Sequence, residues 1–321
     1  MKFPVYVLGR HVAELEQAPG LAYGLTYHAD TAPGDFVSLT LPVRTEPYVL
    51  DEGVYWPLLG GSKTGRVQVA ALARGDQPEP APQPPFAALN QHLCLQVAQR
   101  VMLTAHSELS SDGNTLTVRR LDLDAQGQPH WGVEDFGVLL GQRDASWEQI
   151  AQAVREHVPG SRRGEVFRHL ATSLLLSYAL RNARCHAGTL ALRYTARADV
   201  QAAPAHGLLT TGVYAGREND LPAMAFMGKK IWTPGRNLQK FIATAFGIAP
   251  KEQALMAEAV CDAVADVAPR VLEAMHQHPA FTDTGRGMLA AWAEGVEGLR
   301  DKHVYALGAW PAGAALAGSP R

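Results

Sequence analysis

The sequence is poor in the features that assign a protein most quickly. Cysteine is scarce: Cys94, Cys185 and Cys261 are the only three in 321 residues. An odd count without a CxxC pair argues against a disulfide framework and fits a reducing, cytoplasmic setting. Long apolar tracts are missing too. The longest run, around residues 174–176, falls far short of the roughly 20 residues that span a bilayer. The first sixteen residues are charged and alternating, which does not read as a signal peptide. Charge of one sign is not in excess: 29 Lys and Arg face 31 Asp and Glu, for a net charge of −2. No global field draws in nucleic acid or an anionic membrane, so neither sequence-specific nucleic-acid binding nor membrane attachment is expected. There is no G-x-S-x-G elbow for a hydrolase and no pair of tight Cys/His spacings for structural zinc. Cys185-His186, His92 with Cys94, and His276-Gln277-His278 stand apart.

What is there is enough apolar material, 47% of residues, to bury a sizeable core. Residues 1–58 read as a small β unit. Val5, Val7, Val12 and Leu15 flank a hairpin-like break at Gly9-Arg10. Tyr23, Leu25 and Tyr27 alternate with small or polar residues, and so do Val37, Leu39 and Leu41, with Pro42 closing the run. Period-2 alternation bounded by Gly and Pro predicts half-buried strands. Residues 59–75 read as a glycine turn and a strand. Five prolines within 76–85 predict an extended connector.

From Phe86 the period changes. Leu89, Leu93, Val97 and Val101 make one helical face. A hairpin is expected around Asp112-Gly113-Asn114. Helices are expected over 133–141, 146–157, 164–182, 236–246, 250–278 and 284–300, with a hairpin and loop over 186–215 and a flexible Ala/Gly/Pro-rich tail over 306–321. Strands first and helices afterwards predict an α+β fold. The divisions are 1–58, a reduced lobe over 59–130, and a helical lobe over 131–305.

Several segments carry a family resemblance. The opening Gly9, Val12 and Leu15, with Tyr27 and then Ser38-Leu39-Thr40-Leu41-Pro42, resembles the small N-terminal subdomain of HipA proteins. The helix from Asn90 and the hairpin ending in Arg120-Leu121-Asp122 are similar to that family's helix and R-F-D-like triplet. Glu134-Asp135-Phe136-Gly137 resembles the opening of its helical lobe. Val166-Phe167-Arg168 and Leu221-Pro222-Ala223-Met224 follow in the family's order. The resemblance implies a two-lobed serine/threonine-kinase-like fold and ATP with Mg²⁺ as cofactors. It also implies a toxin that phosphorylates an aminoacyl-tRNA synthetase and is held by a HipB-like helix-turn-helix antitoxin.

Phosphoryl transfer needs a cradle for phosphates, a carboxylate at the attacking hydroxyl, and hard oxygen ligands for Mg²⁺. The family's catalytic loop looks like D-x-H-x-K-N. The matching stretch runs from Tyr178 to Gly188; anchored on Gly188, it puts Arg181 where the aspartate belongs, Cys185 at the lysine and His186 at the asparagine. A shift of one or two residues brings Leu180 or Asn182 to the aspartate position, so no frame supplies a carboxylate. Arginine cannot accept a proton at neutral pH. The family's metal motif looks like P-x-Y-D, matched by Gly212-Val213-Tyr214-Ala215, with Glu218 and Asp220 the nearest carboxylates downstream. For the phosphates, Gly61, Lys63 and Gly65 could form a cradle, or an ordinary glycine turn. Two readings stay open: a divergent kinase using ATP and Mg²⁺, or a pseudokinase scaffold that works by binding a partner.

Overall fold

The hairpin at the start of the chain is built on a mirror-image turn. β1 (Lys2–Val7) and β2 (Arg10–Gln17) pair antiparallel across Leu8-Gly9, whose φ angles are +48° and +78°. Positive φ at both turn residues matches the right-handed twist of the strands. This computed structural model describes residues 2–17, 23–50, 66–69, 83–142, 144–233, 235–305 and 307. The expected phosphate cradle at Gly61, Lys63 and Gly65 lies outside the described residues, as do most of the proline connector and nearly all of the tail.

β3 (Tyr23–Tyr27), β4 (Tyr48–Leu50) and β5 (Val67–Val69) complete a five-stranded antiparallel sheet of order β4-β3-β2-β1-β5. One face buries Val5, Val7, Val12, Leu15, Leu25 and Tyr27 in a small core of their own. The expected strand over Val37, Leu39 and Leu41 does not form; the segment is coil with a single bridge between Ser38 and Leu41. Its alternation has another cause. Val37 and Leu41 point into the small core, whereas Phe36 and Leu39 point into the larger one. A segment wedged between two cores alternates as a strand does, without a ladder partner.

The larger core begins with α1 (Ala87–Ala98), which buries Leu89, Leu93 and Val97 as the periodicity predicts. The hairpin of β6 (Ser107–Leu109) and β7 (Leu116–Val118) follows where expected. The helix expected over 133–141 is half strand. β8 (Gly132–Asp135) pairs with β9 (Ala191–Tyr194), which pairs with β10 (Val200–Ala202). Only after Asp135 does the short helix α2 (Phe136–Leu140) start, because the Asp135 carboxylate accepts from the Val138 N–H at 2.9 Å. An N-capping side chain satisfies a donor that the first helical turn cannot, and so marks the boundary.

The remaining helices are α3 (Trp147–His157), α4 (Gly160–Ala179), α5 (Arg236–Phe246), α6 (Pro250–Gln277) and α7 (Thr282–Arg300). α4 begins four residues before its expected start, running through Gly164. It is buried along its second half, from Leu170 to Ala179, and contacts α3, α5, α6, α7 and β10. α7 crosses its C-terminal end closely. A Cβ at Gly295 would stand 2.4 Å from the carbonyl oxygens of Tyr178 and Ala179, so only glycine allows this approach. The result is a mixed α/β protein in which α4 ends at the loop that matters next.

Candidate functional site

α4 stops because Arg181 leaves the helix in the left-handed region, at φ +52°. The Arg181 carbonyl accepts from the Thr211 hydroxyl at 3.0 Å and from the Thr211 N–H at 3.3 Å. Its side chain turns toward α7. One guanidinium nitrogen lies 3.3 Å from Glu294, and the group sits 5.2 Å above the Trp232 ring. The other candidate residues go elsewhere. The Asn182 side-chain oxygen accepts from the Arg184 N–H at 3.0 Å. Cys185 is buried, and burial pushes its thiol up to about 11, so it is no nucleophile at neutral pH. His186 Nδ1 accepts from the Gly188 N–H at 3.1 Å, and the His186 N–H donates to the Thr189 hydroxyl at 3.0 Å. With Nδ1 accepting, a neutral ring carries its proton on Nε2. The structure therefore brings Asn182 and Cys185 together and sends Arg181 away from them.

Asn182 and Cys185 line a cavity of about 20 Å³ with His169, Ser177, Thr189 and His206. That volume holds about one water molecule. No carboxylate lines it. His169 comes from α4, and burial, with Arg193 nearby, lowers its pKa to about 4. The ring is neutral at pH 7.

The stretch matched to the metal motif is not at this cavity. Tyr214 is buried on α1, where its hydroxyl accepts from the Asn90 amide at 3.0 Å, and burial pushes the phenol up to about 12. The cavity wall is instead made by the segment after β10, which includes Pro204, Ala205 and His206. Pro204-Ala205-His206-Gly207 also begins like P-x-Y-D, and it too lacks the aspartate. Asp220 pairs with Arg217 at 3.5 Å, and neither Asp220 nor Glu218 lines the cavity. No carboxylate oxygen for Mg²⁺ lines this cavity. Arg66, the described end of the expected cradle, turns inward. It donates to the Gly34 carbonyl at 3.1 Å and lies within 6 Å of the stacked Phe36 and Tyr194 rings.

Two polar clusters hold this region, and sequence reasoning passed over both. Asn90, fully buried on α1, donates to the Thr210 carbonyl at 3.0 Å and accepts from the Thr210 N–H at 3.1 Å. The Thr210 hydroxyl accepts from the Trp292 indole at 2.8 Å. Glu134, buried in β8, accepts from the Ser38 hydroxyl and the Leu39 N–H, each at 2.9 Å, and from the Tyr194 hydroxyl. A polar residue on an otherwise apolar helix face was the available signal for Asn90.

At the level of sequence, no protein-family model and no curated protein matches the chain. Its fold is nonetheless similar to a solved structure, the HipA of the Shewanella oneidensis MR-1 toxin–antitoxin complex of HipA, HipB and operator DNA. The two share 12% identity, with a TM-score of 0.65 over 96% of this chain and 100% of that one.

Proposed function

We propose that this protein is a HipA-like member of a toxin–antitoxin system whose kinase-like, two-lobed scaffold has lost phosphoryl transfer and acts by binding a HipB-like, DNA-binding antitoxin. The observation that carries the loss is the cavity beside the loop at 180–189. It has room for about one water molecule and no carboxylate in its wall. Arg181, matched to the catalytic aspartate, is committed to Glu294 and Trp232. Losing one electrostatic partner of a transition state costs on the order of 10²–10³ in rate, and two positions are affected here. The antitoxin partner rests on the HipA neighbour, whose structure is a complex with HipB and operator DNA.

The competing reading, a divergent kinase loaded with ATP and Mg²⁺ that phosphorylates an aminoacyl-tRNA synthetase, is supported by the fold alone. Thermal unfolding of the purified protein with millimolar ATP, with and without Mg²⁺, separates the two, since a ligand that binds only the folded state raises the melting temperature. The expected result is no Mg²⁺-dependent rise, together with co-purification of a helix-turn-helix protein when the chain is captured from its own cells. A Mg²⁺-dependent rise with phosphate transfer to protein would restore the kinase.

A further inference from the structure

The outer face of the N-terminal sheet carries a group of side chains that the cavity and its loop do not use. His11 is the second residue of β2, Glu14 follows three residues later, and His28 comes directly after β3. In a regular strand, residues three apart point to opposite faces. Here they do not, because the β1–β2 register slips. Val5 faces Ala13, Tyr6 faces His11, and Val12 is the extra residue. Val12 and Ala13 are consecutively buried, which leaves His11 and Glu14 on the same solvent side. A β-bulge re-aims side chains in this way. The His28 N–H then donates to the Val12 carbonyl at 2.9 Å, which fixes the second histidine beside the bulge.

The three ligand atoms converge. His11 Nε2 lies 2.8 Å from Glu14 Oε1 and 3.2 Å from His28 Nε2, and all three atoms lie within 4.8 Å of one another. Tetrahedral bonds of about 2.0–2.1 Å place ligand atoms about 3.3 Å apart. The observed spacing therefore needs only side-chain adjustment. The Tyr6 ring, with its centroid 5.2 Å from that of His11, holds the first imidazole in place. Two imidazoles and a carboxylate suit borderline ions such as zinc, copper or nickel rather than Mg²⁺ or Ca²⁺. We propose that His11, Glu14 and His28 form a surface site for a divalent transition-metal ion of the zinc class, with a remaining position open to water. The site lies on a different sheet from the loop at 180–189 and does not depend on the functional reading above.

The test uses the full-length, metal-stripped protein and ZnCl₂ alone, titrated in competition with a chromophoric chelator. The expected result is one saturable Zn²⁺ per chain at about 10 µM or tighter, with a rise in melting temperature on Zn²⁺ addition. His11→Ala and His28→Ala each weaken binding by more than the ~10–100-fold that outer-shell changes cause, and they abolish the thermal shift. His276→Ala/His278→Ala, at the other histidine pair, leaves affinity unchanged. Should either alanine variant fail to fold, Glu14→Gln keeps the side chain's shape and removes its charge, and it must still weaken binding about tenfold. Absence of saturable binding below about 100 µM, or binding that survives loss of both His11 and His28, overturns the proposal.

Discussion

The Ser38 hydroxyl donates a 2.9 Å hydrogen bond to Glu134 across 96 positions of sequence. Both residues are buried. With the Leu39 N–H and the Tyr194 hydroxyl on the same carboxylate, Glu134 ties the segment beneath the N-terminal sheet to the three-stranded sheet of the larger core. Beside it, Phe36 stacks on Tyr194 at 5.2 Å, and Arg197 donates to the Leu39 carbonyl at 2.6 Å.

Replacing Glu134 separates shape from charge. Glu134→Ala orphans three buried donors and should cost about 3–5 kcal/mol in urea unfolding, at about 1–3 kcal/mol for each unsatisfied group less relaxation. Glu134→Gln keeps acceptors for Leu39 and Tyr194 and removes a buried charge, and should cost about 1 kcal/mol or less. Burial raises the Glu134 pKa above the ordinary carboxylate value, against the lowering effect of its hydrogen bonds to Tyr194, Leu39 and Ser38. A raised folded pKa means that the stabilising contribution is full below the unfolded value and is lost as pH rises through the folded one. The stability of the wild type relative to Glu134→Gln should therefore be greatest in acid and fall on the way to neutrality. A flat difference across that range would remove the charge argument.

Asn90 is tested in the same way on the other cluster. Asn90→Ala leaves the Thr210 N–H and the Tyr214 hydroxyl without their buried partner and should cost about 2–4 kcal/mol. Asn90→Leu restores apolar volume but not the hydrogen bonds, and should recover less than half of that loss. Near-wild-type chemical unfolding of either variant would show that the network is not what holds the segment at 208–214.

These two clusters also mark where sequence reading ends. Short-range signals carried well: the first hairpin, which turns at Leu8-Gly9 one residue before the expected Gly9-Arg10 break, the α1 face and the span of α5 all follow local period. The order of segments resembling HipA proteins led to the same fold as the structural neighbour. Alternation at Val37, Leu39 and Leu41 misled, because burial between two cores leaves the same imprint as a strand. The partners of Asn90 and Glu134 and the direction of the Arg181 side chain were illegible. Tyr214, Tyr194 and Glu294, which hold them, lie 60 to 124 residues away, and no local pattern records that.

His169 predicts a second pH dependence, of opposite sense. Its folded pKa is depressed to about 4 by burial and then by Arg193, against about 6.5 in the unfolded chain. Below pH 6.5 the unfolded state takes up a proton that the folded state refuses. Stability is therefore full above pH 6.5 and is lost as pH falls toward 4. The half-buried ring keeps some solvent contact, so the loss should be about 1–3 kcal/mol, short of the full linkage value. His169→Gln should flatten this slope in pH-dependent urea unfolding; an unchanged slope would mean that the imidazole stays hydrated and titrates normally.

Arg181 tests whether the missing carboxylate can simply be put back. Arg181→Asp restores the residue type of a kinase loop at the matched position. It does so on a side chain that points to Glu294 and Trp232 rather than into the cavity. The new carboxylate would face a like charge and forfeit the contact over the indole, worth about 0.5–1 kcal/mol at a partly exposed site. The left-handed backbone at φ +52° is better tolerated by Asp than by Arg, which offsets part of that loss. A net destabilisation of about 1 kcal/mol is expected, with no incorporation of radiolabelled phosphate from ATP into protein. Arg181→Asn, which keeps the backbone relief without the repulsion, should be close to neutral. If Arg181→Asp gained phosphate transfer, the loop would have to reorient toward a nucleotide, and the degenerate reading of this scaffold would fall with it.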